Sequence, residues 1–430
     1  MSDRHVNYRF NCFDLPPPLT LPSPVSHPIY ITDTTLRDGQ QGWRPLKPEE
    51  ALQIYLLLSR LSGSSGAIRT VELFPYTGKD RETIKLILEH RERWPEPIGW
   101  VRARKQDIDL VVESKLEQTV VLTSVSYHHI YWKLGLDRKG AESKFLEAIE
   151  YALSKGLRIR VAMEDITRSD VKGFVLPFTE KILRVAEKYE ADREIVFKIS
   201  DTLGLGLPFE TAGLPRGVPS LVKAFLNGLG IENTQLEFHG HNDFHMVVAN
   251  HLAAWLSGAS FSNCTLFGVG ERAGNCPLEA MLLHYVAIKR DLCGIDLQAI
   301  FDAKLLFESM GYSFSPHHPI VGENSFTTSA GIHIDGLLKS PLTYLPFNPR
   351  ILGTESKVKI TRYSGRAGVV YALSNLLGVN SSKAAKESGL VDVVYSTVLE
   401  ELEKREDGSL ELQEVVEIAR RVLGGRLGER

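Results

Sequence analysis

The chain has 430 residues, 43% of them hydrophobic and 24% charged, which is enough for a large core without disulfide or metal staples. A formal net charge of −3 gives no electrostatic case for nucleic acid or an anionic membrane as partner, and no apolar run approaches the roughly 18 residues of a membrane span. Cys12, Cys264, Cys276 and Cys293 are scattered without a Cys-X-X-Cys pair, and the start MSDRHVNYRF has no apolar signal core; both point to a reducing cytoplasm.

Residues 1–28 are Pro-rich and aperiodic and read as an extended arm. From there short β-like runs alternate with longer amphipathic stretches. The predicted strands are Ile29–Thr34, Arg69–Phe74, Ile98–Arg102, Gln118–Thr123, Leu157–Met163, Ile195–Ser200, Gln235–His239 and Ser262–Phe267. Helical patterns fall between them, as at Glu49–Leu61, Arg81–His90, Lys139–Lys155 and Phe174–Tyr189. A strand-helix alternation of this length predicts an α/β fold, a TIM (β/α)8 barrel over residues 29–295, with a doubly wound open sheet as the alternative. Beyond it, residues 296–365 are mixed and residues 366–430 read as a C-terminal, mainly helical subdomain.

The seventh strand is the most informative. Gln235-Leu-Glu-Phe-His-Gly-His-Asn places Gln235, Glu237, His239 and His241 on one face and Leu236 and Phe238 on the other. Two imidazoles at i and i+2 converge as two metal ligands must. Polar residues gather at the ends of other strands too, where barrels place their chemistry. Arg37 and Asp38 follow the first, Glu72 lies on the second and Arg102 on the third. Arg160 and Glu164 share a face of the fifth, and the sixth brings Lys198, Ser200 and Thr202. An inward cationic face is costly unless something anionic binds there, so Arg37, Arg102 and Arg160 suggest a small carboxylated substrate. Asp38 is the candidate third metal ligand and the Asn275 carbonyl a fourth. Such a mixed N/O site suits Mn2+, Zn2+, Co2+ or Mg2+.

Three stretches carry a family resemblance: Asp33-Thr-Thr-Leu-Arg-Asp-Gly, His239-Gly-His-Asn-Asp and Gly268-Val-Gly-Glu-Arg-Ala-Gly-Asn. Together they resemble the metal-dependent acyl-CoA condensing and cleaving barrels: isopropylmalate, homocitrate and citramalate synthases and, more remotely, hydroxymethylglutaryl-CoA lyase. Within that family Gln40-Gln41, Leu122-Thr-Ser-Val-Ser-Tyr-His and Glu164-Asp-Ile-Thr-Arg-Ser-Asp are most similar to the Re-face citrate synthase branch. The resemblance implies a condensation of acetyl-CoA with a 2-oxo acid, oxaloacetate first, and a divalent metal, Mn2+ first. The implied ligands are Asp38, His239 and His241, with Asn275 in or near the shell. Gln41, Glu72, Arg102, Arg160 and Thr202 are implied to hold the 2-oxo acid, Arg160 facing its distal carboxylate. Arg37 and Glu164 are implied catalytic residues. So are His333, in Ser329-Ala-Gly-Ile-His-Ile-Asp, and Tyr344; in the family these two are lent across a homodimer interface. Trp100 stands where homocitrate synthases carry a substrate-contacting His. The competing expectation is the same chemistry on 2-oxoglutarate or 2-oxoisovalerate, as in homocitrate synthase or 2-isopropylmalate synthase, and a lyase or a non-catalytic metal-binding barrel is the remoter one.

Overall fold

The computed structural model describes residues 13–19, 21, 24–377 and 389–423. The first residues of the predicted arm, Cys12 included, and the tail after Gly424 lie outside the described residues. The chain forms two compact units: Pro18–Ala303, and a second that joins the chain up to Pro17 to Lys304 onward.

In the first unit, eight parallel strands close into a barrel in sequence order. They are β1 (Tyr30–Asp33), β2 (Ile68–Leu73), β3 (Glu96–Arg102), β4 (Gln118–Ser124), β5 (Arg158–Glu164), β6 (Val196–Asp201), β7 (Leu236–Gly240) and β8 (Phe261–Cys264). β8 pairs with β1, Phe261 against Tyr30, which closes the ring and leaves no free edge. The predicted eighth strand runs to Phe267, but pairing stops at Cys264. Phe267 takes a left-handed φ of 59° there and turns the chain into the following loop.

Helices follow the strands because their sequences carry both a start signal and an apolar stripe. α1 (Pro48–Ser62) has Pro at its first position and Glu50 reaching back to the Lys47 amide. α2 (Gly78–Glu89) is capped by Thr77, whose hydroxyl accepts from the Asp80 amide. Further helices run α3 (Lys105–Glu113), α4 (Arg138–Ser154), α5 (Leu176–Glu187), α6 (Val218–Leu229), α7 (Val247–Ser257) and α8 (Leu278–Lys289). Outward strand residues such as Ile159, Val161, Phe197, Ile199 and Phe238 are buried beneath them.

The barrel interior has two sectors. Across β3–β5, Ile98, Val120 and Ala162 form a small apolar cluster with Trp100 and Leu122. Around the rest of the ring the filling is ionic. Thr32 donates to Glu237 at 2.5 Å, Arg160 pairs with Glu237 at 2.9 Å, and Lys198 pairs with Glu72. Asn263 donates to Thr32 and Glu72 and links the pairs into one network.

The second unit has its own core, with Ile334, Val358, Ile360, Val369, Val394, Val398 and Val415 among its members. It carries a three-stranded sheet, β9 (Thr327–Thr328), β10 (Lys357–Thr361) and β11 (Ser409–Glu411). Around it lie helices Gly331–Lys339, Gly365–Leu377, Leu390–Glu403 and Leu412–Leu423. This core extends from Ile334 to Ala419, across the expected division at residue 365, and the first unit closes at Ala303 rather than at 295. Residues 378–388 lie outside the described residues.

Candidate active site

At the C-terminal end of the barrel strands a cavity of about 240 Å3 opens, with Arg37, Asp38, His239 and His241 among its lining residues. The chain reaches this geometry locally. After β1, Thr35–Gly39 makes a wide π-type turn in which the amides of Arg37, Asp38 and Gly39 all return to the Thr34 carbonyl. Both charged side chains are thereby directed at the barrel mouth. From β7, His239 and His241 enter on the same side, and the His241 amide donates to the Asp201 carbonyl at 3.2 Å. The loop after β8 folds back so that His241 pairs with Asn275. Gly270 is required there: a Cβ at that position would lie 1.8 Å from Asn275 Oδ1.

Asp38, His239 and His241 offer ligand atoms that all lie within 4.8 Å of one another. Asp38 Oδ2 is 3.6 Å from His239 Nε2 and 3.7 Å from His241 Nε2. His239 Nδ1 is bonded to Asn263 Oδ1 at 2.8 Å, which leaves Nε2 to face Asp38. Asn275 Nδ2 donates to Asp38 Oδ2 at 2.8 Å, while its Oδ1 is buried without a partner. An orphaned buried carbonyl beside a carboxylate and two imidazoles is the donor set of a mixed N/O divalent-metal site, and these residues fit one. Protonation agrees. Burial, reinforced by His241, holds the His239 imidazole down at about 3 against the opposing pull of Asp38, and burial also lowers His241. Burial would raise Asp38, yet Arg37 and the two histidines hold it well below the usual carboxylate range. Ligands ready to bind are neutral imidazoles and an ionised carboxylate, as found here.

Arg37 donates through Nε and Nη2 to Glu72 Oε2 and lies 3.2 Å from Asp38 Oδ1. Its guanidinium carbon stacks 4.8 Å from the centre of the Trp100 ring. Glu72 is fully buried; burial would raise it, but Lys198 and Arg37 hold it at about 2. Across the cavity, Glu164 accepts from Ser124 at 2.6 Å and from Lys133 at 2.6 Å and 2.8 Å, with the His129 ring 3.0 Å away. Burial pushes this carboxyl up, but His129 and Lys133 outweigh it and hold it at about 2. Glu164 is therefore held as a carboxylate anion near neutrality.

The structure brings together Arg37, Asp38, Gln41, Glu164, Thr202, His239 and His241 around one cavity. It places three predicted substrate residues elsewhere. Arg102 shares strand parity with Trp100 but lies past the rim, held by Asp107 at 2.6 Å, and does not line the cavity. Arg160 is one layer too deep: it is buried on Glu237, over the Phe261 ring. Glu72 lies beneath the cavity, holding Arg37 and Lys198. Lys133, Lys198, Glu271 and Arg272 line the cavity without having been assigned a part in it. Lys198 was visible on the inward face of β6. Lys133 sits in an irregular turn, His128–Lys133, where no periodicity marks it. His333 and Tyr344 belong to the second unit, where their rings stack with centroids 4.1 Å apart and both residues are exposed.

A family model described as HMGL-like matches residues 28–306. The chain belongs to the HMGL-like family. A second model, homocitrate synthase post-HMGL domain-like, matches residues 320–391. Among curated relatives of this HMGL-like chain, the citrate (Re)-synthase of Clostridium kluyveri is 40% identical over 82% of this chain and 78% of its own length. The citrate (Re)-synthase of Syntrophus aciditrophicus is 39% identical over 84% of this chain, which spans only 57% of that protein. The 2-phosphinomethylmalate synthase of Streptomyces hygroscopicus is 40% identical over 85% of this chain and 83% of its own length. Among solved structures, the HMG-CoA lyase of Bacillus subtilis shares the barrel fold at 18% identity and a TM-score of 0.52, over 68% of this chain and 97% of that one. No helix among the described residues is long and apolar enough to cross a membrane.

Proposed function

We propose that this chain is a metal-dependent condensing enzyme that joins acetyl-CoA to a 2-oxo acid, oxaloacetate being the acceptor and citrate and free CoA the products. The observation that carries the reading is the convergence of Asp38, His239, His241 and the orphaned Asn275 carbonyl in a cavity that is also lined by Arg37, Lys133, Lys198 and Arg272. Relatives named citrate (Re)-synthase at 39% and 40% identity support the choice of acceptor. A divalent ion held by those four residues, Mn2+ in this proposal, supplies Lewis-acid polarisation of the 2-oxo group.

The protein's own groups do the rest. Arg37 is pinned by Glu72 and Asp38, so its guanidinium is preorganised for the negative charge that develops on the ketone oxygen. His333, stacked on Tyr344, is the proposed base for the acetyl methyl proton; we place this pair at the cavity of a second copy in a homodimer. Glu164, kept ionised by Lys133, orients that imidazole and stabilises its protonated form. The methyl carbon then bonds to the ketone carbon, the oxygen takes up a proton, and water cleaves the thioester to release CoA. Thr202 and Gln41 line the space left for the acceptor. The scattered cysteines suit a cytoplasmic setting.

The test is release of free CoA thiol from acetyl-CoA with oxaloacetate, 2-oxoglutarate, 2-oxoisovalerate or pyruvate, in Mn2+ or in chelator. Turnover with oxaloacetate that chelator abolishes is expected. Silence with all four in metal-loaded protein would sink the reading. The match of residues 320–391 to a homocitrate synthase domain favours 2-oxoglutarate as the second candidate acceptor, and the same panel separates the two.

A further inference from the structure

The cavity's cations differ in how firmly their partners hold them. Lys133 is committed to Glu164 and half-open to solvent, and Arg272 is held by Asp243 at 2.9 Å and 3.1 Å. Arg37 takes one oxygen of Glu72 and also faces Asp38. Lys198 is different. It is 1% exposed, yet it lines the cavity, and its ammonium rests on the other oxygen of the same Glu72. Its second carboxylate, Glu237, is 3.5 Å away and is already taken by Arg160 and Thr32.

Glu72 and Glu237 therefore serve three buried cations, Arg37, Lys198 and Arg160, and Asp38 is the further carboxylate paired with one of them, Arg37. With a divalent ion on Asp38, this ion-paired set of Arg37, Lys198, Arg160, Glu72, Glu237 and Asp38 carries two more positive charges than negative ones, counting the imidazoles as neutral. Such an excess is costly unless a dianion enters. A 2-oxo dicarboxylate carries that charge.

Position selects Lys198 to meet the second carboxylate. Ser200 is in register with His239, and Lys198 with Glu237 and Ala162. Lys198 thus lies two residues below the histidine layer, roughly 7 Å of strand, and its flexible stem spans that depth. The neighbouring Ala162 is short and also lines the cavity, which leaves room above the ammonium. In a four-carbon 2-oxo diacid only one methylene separates the second carboxylate from the ketone carbon, so its cation must sit close to the metal ligands. Arg160, buried beneath Glu237, is not so placed.

We propose that Lys198 is the specificity-determining cation of this site, receiving the second carboxylate of a short 2-oxo dicarboxylate. This rests on reading the cavity as a 2-oxo acid site, and the experiment separates the two. Malate and lactate present the same 2-hydroxy acid head with and without a second carboxylate. Calorimetry on Mn2+-loaded protein should show malate binding at least roughly 30-fold tighter than lactate, the effect of one desolvated charge pair. In K198Q the preference should collapse to about threefold while lactate affinity holds. A preserved malate preference, or equal loss of both ligands, overturns the assignment. If circular dichroism shows K198Q unfolded, K198R decides. Its planar fork stays pinned on Glu72, so the malate-to-lactate ratio should fall at least about tenfold, and an unchanged ratio overturns the proposal. CoA release with oxaloacetate is followed in the same preparations. Silence there with the malate preference intact removes the condensation and keeps Lys198; turnover without a malate preference does the reverse.

Discussion

Two buried clusters in this barrel bring potential metal ligands together, and only one of them pairs an ionised ligand with an open cavity. Asp38, His239 and His241 form the first; His251, Cys264 and Cys276 form the second, likewise buried with ligand atoms within 4.8 Å of one another. They lie on opposite sides of the barrel wall. The first faces the cavity, beside Arg37 and an orphaned Asn275 carbonyl. The second lies behind β8 against α7, where His251 packs edge-on to Phe238 at 4.8 Å. There His251 Nδ1 is bonded to Ser262 Oγ at 2.7 Å, and that oxygen is 3.3 Å from Cys264 Sγ. Burial pushes the Cys276 thiol well up and the His251 imidazole well down, so each of these two groups is neutral. Metal binding would require thiolates here, which burial and the nearby Glu279 carboxylate both oppose at Cys276. Ligand identity and spacing do not make a metal centre; a charged ligand and an open face do.

The largest effect that would break this comparison is loss of the first cluster. H239A or H241A should remove the bound Mn2+ and lower CoA release at least about a thousandfold, the worth of several kcal/mol of charge stabilisation. C264S and C276S should leave metal content by elemental analysis unchanged at one ion per chain; a second ion lost with either cysteine would make the two clusters equivalent. A smaller effect concerns Asn263, which orients His239. N263A should weaken Mn2+ binding about 10- to 100-fold, read as the chelator concentration that halves activity, without changing the protein's thiol count.

The smallest effect is in pH dependence. In the folded chain burial holds His239 at about 3, whereas the unfolded chain takes up that proton near pH 6.5. Stability in chelator should therefore be flat above pH 6.5 on this account and fall as pH drops from there towards 3. His251, lowered by burial as well, adds to the same trend. Because burial keeps His239 neutral and lowers His241 as well, Mn2+ binding should displace little proton from either between pH 5.5 and 7.5. Its dissociation constant should change less than about threefold over that range, where ordinary imidazole ligands lose far more. A steep loss at pH 5.5 would show that His239 or His241 takes up a proton there despite its burial.

Much of this was legible in the chain. The eight strands fall within a few residues of their predicted ends because β propensity, parity and turn signals agree along that stretch. His239 and His241 were legible because a strand with two imidazoles on one face and Leu236 and Phe238 on the other has one consistent orientation. What parity does not report is depth. Arg102 and Arg160 share the inward parity of the cavity residues, yet one overshoots the rim to Asp107 and the other lies under the floor on Glu237. Lys198 has that parity too, and only the register of β5, β6 and β7 shows that it reaches the cavity.

By itself, then, the sequence determined the barrel and the pairing of imidazoles with a carboxylate, since these follow from local periodicity and from motifs a few residues long. Tertiary structure decided which cations serve the cavity and which of two buried ligand clusters carries charge. Those outcomes depend on strand stagger, on which side of the wall a residue stands, and on long-range ion pairs between residues as distant in the chain as Glu72 and Lys198. Electrostatic partners meet only when the ring closes, and no local pattern encodes that meeting.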